Sequence, residues 1–219
     1  MQLSALPYLI EGLDCSGKKT IASRISTELS RQGLDVDLVI GPLVKGPLGR
    51  LDARLANLTR SVPANSPLGT VRRVVYAIEP VADRVFYRPG TGPNVVIKIS
   101  SHYRAWARAM VTEDGAMHRF YRATANLHPR FAGATLLSTD FDERVCRHRE
   151  DADAGHTTKQ EQIRFRGGAA RFTAWHNTLR GLLDRHVDQL QILDTTSGDT
   201  EQATQKVIAH ILACRTETR

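Results

Sequence analysis

The sequence predicts an α/β fold, in which a five-stranded parallel sheet lies between two layers of helices as a three-layer sandwich. Two observations support this fold class. Short apolar runs alternate with helix-length segments along the 219 residues, and a glycine-rich loop joins the first apolar run to the first helical pattern. The length suits a single domain over residues 1–219 that buries a sizeable core without disulfides or metal.

The strands are predicted where apolar runs are short and bounded by turn residues. They are Tyr8–Glu11, Asp35–Ile40, Asn94–Ile99, Ala134–Thr139 and Leu190–Asp194. The helices follow from apolar residues at helical spacing. They are Lys18–Gln32, Leu51–Thr59, Val71–Tyr87, Arg104–Leu127, Ile163–Val187 and Thr200–Ala213. Pro80 predicts a kink or a break within the third of these helices.

The loop after the first strand is typical of phosphate binding. Gly12 and Gly17 stand five positions apart, and Lys18 follows the second glycine. Such spacing lets backbone N–H groups surround phosphate oxygens at the positive end of the next helix, and the lysine adds a mobile charge. We therefore expect a nucleotide polyphosphate to contact the residues of this loop: Gly12, Cys15, Ser16, Gly17, Lys18, Lys19 and Thr20.

One position of the loop departs from the usual pattern. The residue after the phosphate-binding lysine ordinarily carries a hydroxyl that ligates Mg²⁺, but here it is Lys19, and the hydroxyl comes one place later at Thr20. A cation at this position should weaken Mg²⁺ binding by like-charge repulsion, unless its stem points away along the helix. Thr20 or Ser16 would then supply the metal-ligating oxygen.

The composition limits the partners. The formal net charge is +7, but the basic residues are spread along the chain rather than gathered in a block, which argues against a nucleic-acid partner. The three cysteines are scattered without metal-site spacing, as expected for a reduced, cytoplasmic protein. No apolar stretch approaches the roughly 20 residues of a membrane span, and the N-terminus has no signal pattern.

A charged segment follows the fourth predicted strand. Arg147–Thr158 is rich in small and charged residues and lacks apolar periodicity, so we expect it to be exposed and mobile. Two interpretations stay open, an ordinary solvated loop or a lid over residues 147–160. In the second, Arg147 and Arg149 would close over the phosphates of a bound nucleotide.

Several motifs together resemble the thymidylate kinase family, the P-loop kinases that phosphorylate dTMP from ATP. The lead Glu11-Gly12-Leu13-Asp14 before Ser16-Gly17-Lys18 is similar to the family's entry strand and loop. Weaker matches lie at Gly41–Gly49, at Ala82-Asp83-Arg84 and at Gln191–Thr196. The resemblance implies a P-loop kinase fold that uses ATP and Mg²⁺, and an assembly as a homodimer.

The largest departure from the family follows the third strand. The family carries Asp-Arg and then an aromatic residue or His there, whereas this chain has Ser100-Ser101-His102-Tyr103-Arg104. Aligning Ser101-His102-Tyr103 with the motif keeps the aromatic residue in register, and aligning Ile99-Ser100 keeps the strand length. Neither register restores the carboxylate that the family places near the metal and the reacting phosphates.

The resemblance also implies an acceptor site. Asp14 would bind the acceptor's sugar hydroxyl or a metal-bound water, or alternatively only satisfy local N–H groups. Arg84 and Arg54 would meet the acceptor, or else be ordinary surface charges. The remaining acceptor candidates are Ser101, His102 and Tyr103, although a histidine such as His102 is often just a half-buried residue satisfied by a neighbour.

Two functions of different classes remain at this point. One is a kinase that transfers the γ-phosphoryl group of ATP to a nucleotide or nucleoside-like acceptor, with Lys18, Asp14, Arg147 and Arg149 as the catalytic candidates. The other is a catalytically degenerate nucleotide-binding protein that acts through a partner. For a dimer, the Ala/Trp/Met-bearing face of Tyr103–Met117 is the candidate surface, with core packing as its alternative.

Overall fold

The computed structural model describes residues 6–44, 47–58, 66–88, 95–155, 162 and 164–217. Its strands are β1 Tyr8–Gly12, β2 Val36–Ile40, β3 Val95–Ile99, β4 Gly133–Ser138 and β5 Leu190–Asp194. They form one parallel sheet in the order β2-β3-β1-β4-β5. The predicted α/β fold is confirmed, and each strand lies within one residue of its predicted bounds.

The helices cover both faces of the sheet. They are α1 Lys18–Arg31, α2 Pro47–Leu58, α3 Pro67–Phe86, α4 His102–Val111, α5 Gly115–Thr124, α6 Phe141–Asp153, α7 Gly168–His186 and α8 Thr200–Glu217. A short 3-10 turn, Ala125–Leu127, follows α5. None of the described helices is both long enough and apolar enough to cross a membrane.

Alternation along β1 explains why the core has two halves. Tyr8 and Ile10 point into a cluster with the buried stripes of α1 and α8, whereas Leu9 points into a cluster with α4 and α7. Successive residues of a strand face opposite sides of the sheet, so a strand that is buried on both sides must be apolar throughout. The short apolar runs that predicted the sheet are the consequence.

The predicted helix Arg104–Leu127 is wrong in one respect, because the structure divides it into α4 and α5. Glu113 adopts a positive φ of 55° between them, and the Asp114 side chain caps α5 by accepting from the N–H of Met117 at 3.2 Å. An Asp side chain favours a helix start because it satisfies one of the free N–H groups there. The pair Asp114-Gly115 therefore marks the start of a new helix in the sequence.

The expected loop at Arg147–Thr158 is also corrected, because α6 continues to Asp153. Acidic residues occupy its first turn, Asp142 and Glu143, where they interact favourably with the helix dipole. Its buried face carries Arg144 and His148 instead of apolar residues, so apolar periodicity missed it. Of the proposed lid at 147–160, residues 156–160 lie outside the described residues.

Several other helix boundaries differ from the predictions, since α7 begins at Gly168 instead of Ile163 and α8 ends at Glu217 instead of Ala213. Helix α2 begins four residues earlier than predicted, at Pro47, and α3 runs through Pro80 without a break. A proline inside a helix removes the bond to the carbonyl four residues before it, which here belongs to Tyr76. That residue lines the cavity described below.

Candidate functional site

The phosphate-binding loop lies between β1 and α1. Cys15 and Gly17 have positive φ angles of 59° and 81°, and alternation of right- and left-handed backbone is what shapes an anion-binding concavity. A Cβ at Gly12 would lie 2.6 Å from Ser16 Oγ and 2.9 Å from the Leu137 carbonyl oxygen. Only glycine therefore fits where the loop leaves the sheet.

Lys18 begins α1 and folds back over this loop. Its ammonium donates to the Leu13 carbonyl at 2.5 Å and lies 3.4 Å from Ser16 Oγ. Burial and the charge of Arg104 lower the pKa of Lys18 to about 8, against the carboxylates of Asp14 and Glu11. Lys19 and Thr20 are both exposed at the mouth of the cavity.

Asp14 is the buried carboxylate of the loop, and two arginines hold it. Arg104 Nη1 lies 3.1 Å from Asp14 Oδ1, and Arg164 Nη1 contacts Oδ2. Burial raises the pKa of Asp14, but the charges of Arg104, Arg164 and Lys18 outweigh it and lower the pKa to about 2. The side chain thus does more than satisfy local N–H groups, since it brings two cations to the phosphate-binding loop.

Glu11 connects the loop to the start of α4. Its Oε1 accepts from the Gly12 N–H at 2.9 Å, and its Oε2 accepts from the Ser101 N–H at 2.6 Å and from Ser101 Oγ at 2.8 Å. Glu11 is fully buried, and hydrogen bonds to a buried carboxylate offset the cost of its burial. Ser101 therefore positions the helix that carries His102 and Arg104.

Lys98 is a buried cation near the end of β3. Its ammonium donates to the Gly41 carbonyl and lies 3.8 Å from Asp83 Oδ2. Asp83 also accepts from the N–H groups of Leu43 and Val44 at 2.9 and 3.0 Å. Burial lowers the pKa of Lys98 and raises that of Asp83. Of the predicted tripeptide, it is thus Asp83 that faces the site, while Arg84 is exposed.

His102 lies at the cavity floor, and its neighbour Tyr103 does not. His102 is 3% exposed, and its Nε2 has no hydrogen-bond partner among the described residues. Burial and the nearby His128 lower the pKa of His102 well below its usual value. Tyr103 packs in the core, stacked on His186 at 5.6 Å between ring centroids. The structure therefore does not bring Tyr103 to the acceptor region.

Helix α6, not a mobile loop, carries Arg147 and places it beside the phosphate-binding loop. Arg147 donates to the Thr195 carbonyl at 2.7 Å and to Glu143 at 2.8 Å, and its Nη1 lies 3.5 Å from the Cys15 carbonyl. Arg149 is exposed, as is Arg54 on α2. Neither of these exposed arginines lines the cavity in front of the phosphate-binding loop or the smaller cavity beside it.

The cavity in front of the loop measures about 640 Å³. It is closed on one side by residues 14–20 and on the other by the carboxyl ends of the strands and by α3, where open α/β sheets bind ligands. Four buried or half-buried cations line it, Lys18, Lys98, Arg104 and Arg164, in addition to the exposed Lys19 at its mouth. The arrangement can bind a polyanion and neutralise charge that develops on a transferred phosphoryl group.

Comparison with known proteins places this site within a known fold. No protein-family model matches the chain, and no curated protein sequence matches it either. Among solved structures, a thymidylate kinase from Candida albicans is similar to it, with a TM-score of 0.66 and 18% sequence identity. The match covers 99% of this chain and 94% of that chain. The chain has the thymidylate kinase fold.

Sequence analysis did not identify three of the cations that line the cavity in this thymidylate kinase fold, namely Lys98, Arg104 and Arg164. Lys98 is a single charge inside an apolar run, and Arg164 lies in a segment that carried no motif. Arg104 directly follows Ser101-His102-Tyr103, the stretch that departs from the family's motif. This position in the sequence could have identified Arg104 as a site residue. The fold brings these side chains to the loop from β3, from α4 and from the segment before α7.

Proposed function

We propose that the protein is an ATP-dependent phosphotransferase that moves the γ-phosphoryl group of ATP to a nucleotide or nucleoside-like acceptor. The observation that carries the proposal is the common cavity of the phosphate-binding loop and four buried or half-buried cations. Phosphoryl transfer asks for positioning and charge neutralisation more than for covalent chemistry by the protein. The site offers these two properties.

On the donor side, residues 12–20 would hold the β- and γ-phosphates of ATP. The N–H groups at the start of α1 and the ammonium of Lys18 are the donors. In this proposal Lys18 leaves its contact with the Leu13 carbonyl and follows the charge onto the transferred group. Arg147, tied to the Thr195 carbonyl, supports the loop from below instead of closing over it.

On the acceptor side, Arg104, Arg164 and Lys98 take the role that the resemblance gave to Arg54 and Arg84. The first two hold Asp14 at the loop, so they lie where the donor and acceptor phosphates would meet. A guanidinium matches two phosphate oxygens at once. Ser101 and His102 line the same region. In this proposal the buried His102 Nε2, which has no hydrogen-bond partner among the described residues, becomes accessible and hydrogen-bonds the acceptor.

Mg²⁺ belongs to the same proposal, and its fit can be judged from the oxygen atoms present. The carboxylates of Glu11 and Asp14 are engaged by Ser101 and by two arginines, and the loop hydroxyls are Ser16 and Thr20. These donors suit a Mg²⁺ held mainly by phosphate oxygens and water, with Thr20 or Ser16 as protein ligand. When bound, Mg²⁺ neutralises charge on the β- and γ-phosphates.

The proposal is tested by ADP release with a panel of nucleoside monophosphates and nucleosides. We expect turnover with at least one acceptor, and a loss of about 100-fold or more in Lys18→Met. Lys206→Met is the matched control, because Lys206 is exposed on α8 and donates to Gln202 of the same helix at 2.9 Å. ATP binding without turnover on any acceptor would refute the kinase.

That outcome would support the second candidate, a nucleotide-binding protein that has lost efficient chemistry and acts through a partner. The observation that favours it is the pair of cations Lys19 and Lys98. Lys19 stands where a hydroxyl usually ligates Mg²⁺, and Lys98 rather than a carboxylate lies near the end of β3. The two candidates differ in turnover and not in ATP affinity.

We propose that the chain forms a homodimer through α3. The face of Tyr103–Met117 is not available, because Trp106, Ala107 and Ala109 are buried in the core. Helix α3 instead exposes Val71, Val74, Ile78 and Val85 at helical spacing, and an exposed apolar stripe indicates an interaction surface. Light scattering should give twice the 24.3 kDa mass and a monomer for Val74→Glu, and a monomeric wild type would contradict the proposal.

A further inference from the structure

A second cavity adjoins the one in front of the phosphate-binding loop. It measures about 270 Å³ and lies among α3, α4, α5 and α7. Tyr76, Arg104 and Arg164 line both cavities. A molecule whose accepting group lies near Arg104 and Arg164 can therefore extend into the second cavity without leaving the protein.

Arginines dominate the lining of this second cavity. Arg72 and Arg73 come from α3, Arg104 and Arg108 from α4, and Arg164 from the segment before α7, whereas Asp114 is the carboxylate among the lining residues. Arg104 and Arg108 stand one helical turn apart, so their side chains extend from the same face of α4. Carboxylates already hold two of the others, since Arg73 pairs with Asp114 at 2.8 Å and Arg164 pairs with Asp14.

Arg108 differs from these two arginines. Its guanidinium makes no hydrogen bond and no ion pair with any residue in the described ranges. Burial lowers the pKa of Arg108, and the charges of Arg164, Arg171 and Arg73 lower it further against the charge of Asp14. The charges around Arg108 are therefore mostly of its own sign. The residue is also exposed to solvent, so water screens part of the repulsion, and an anion can reach the guanidinium.

We propose that this cavity binds a phosphate group of the acceptor that is separate from the phosphate or hydroxyl that receives the γ-phosphoryl group. The proposal rests on the proposed function and narrows its acceptor to a nucleotide-like molecule with a second, distal phosphate. Arg108 is the residue that contacts this distal phosphate, with Arg104 on the adjacent turn.

The chemistry favours an anion over an uncharged ring in this place. One guanidinium suffices to read a ring carbonyl, and a neutral ring does not offset the repulsion around Arg108. A phosphate offsets it and also accepts two parallel bonds from the planar guanidinium. Tyr76 and Trp175 line the same cavity, so a base or sugar between the two phosphates would lie against aromatic side chains.

The experiment is a titration calorimetry measurement with matched pairs of probes. Thymidine 3′,5′-bisphosphate is compared with thymidine 5′-monophosphate, and adenosine 3′,5′-bisphosphate with adenosine 5′-monophosphate. We expect the bisphosphate of at least one pair to bind about 10- to 100-fold more tightly, the range for hydrogen bonds to a charged group. The advantage should shrink as salt concentration rises.

Variants assign the advantage to Arg108. In Arg108→Gln we expect the bisphosphate-to-monophosphate ratio to fall close to one, and Arg108→Lys should keep part of it because the charge remains without the fork. Arg119→Gln, on the exposed side of α5, should keep the full ratio. If Arg108→Gln does not fold, Arg108→Lys carries the test. Equal affinities in the wild type, or a ratio that stays at the wild-type value in Arg108→Gln or in Arg108→Lys, would overturn the inference.

ADP release with the same probes separates this inference from the proposed function. Turnover of monophosphates with no preference for a bisphosphate leaves the kinase intact and overturns the inference. An Arg108-dependent binding preference without any turnover supports the inference and refutes the kinase.

Discussion

Replacing Asp14 with Asn should destabilise the protein, and the structure gives the size of the effect. Asp14 is buried and lies between Arg104 and Arg164, and its pKa is about 2 instead of 3.8. One pKa unit corresponds to about 1.4 kcal/mol. Because both arginines keep some contact with water, we expect a loss of about 2 kcal/mol in the free energy of unfolding at pH 7.

The pH dependence follows from the direction of the shift. A carboxyl whose pKa is lowered in the folded protein stabilises it fully above the unfolded pKa of 3.8. This stabilisation is lost as the pH falls through about 2. The difference between wild type and Asp14→Asn should therefore be constant from pH 7 to pH 5 and decrease between pH 4 and pH 2.

Urea unfolding, followed by the fluorescence of Trp106 and Trp175, measures this difference, and thermal unfolding should show a Tm lower by about 4–8 °C. Asp184→Asn is the control, since Asp184 is exposed on α7, and it should change stability by less than about 0.5 kcal/mol. A double-mutant cycle with Arg104→Gln should show coupling. Equal stabilities, or strictly additive effects, would refute the role given to Asp14.

Three other predictions concern the reaction itself. Lys19→Ser should lower the Mg²⁺ concentration needed for turnover and keep ATP affinity, because it removes a cation near the metal position; a collapse of ATP affinity in equilibrium dialysis would contradict this. ATP affinity of the wild type should fall as the pH rises through about 8, where free Lys18 loses its proton, and Lys18→Met should lack that step. His102→Gln should raise the acceptor KM about 10-fold and leave the KM for ATP unchanged, whereas equal increases in both would show that His102 acts through folding.

The sheet could be predicted from the sequence because its signals are local. Each strand is a short apolar run, and β1 is followed at once by the glycines of the loop at Gly12 and Gly17. The break between α4 and α5 was also encoded locally, at Asp114-Gly115, but the helical pattern on either side obscured it. Helix α6 gave no apolar signal, because its buried face is Arg144 and His148.

The candidate site could be predicted only in part, because its charges come together over long sequence distances. The loop and Lys18 were identified from one contiguous motif. Arg104 and Arg164 reach Asp14 from 90 and 150 residues away, and no spacing rule marks such pairs among the many arginines of this chain. Burial separates them from the solvated Arg54 and Arg84, and burial is a property of the fold.

Glu11 links the two sides of the site through three buried hydrogen bonds. It accepts two from Ser101 and one from Gly12. One oxygen accepts from Gly12 in the phosphate-binding loop, and the other accepts from Ser101, the residue directly before α4. A displacement of either wall therefore has to move the other or break a buried bond to a carboxylate, at a cost of about 1–3 kcal/mol. A change in the conformation of the phosphate-binding loop is therefore coupled to the orientation of α4, the helix that carries Arg104 and Arg108.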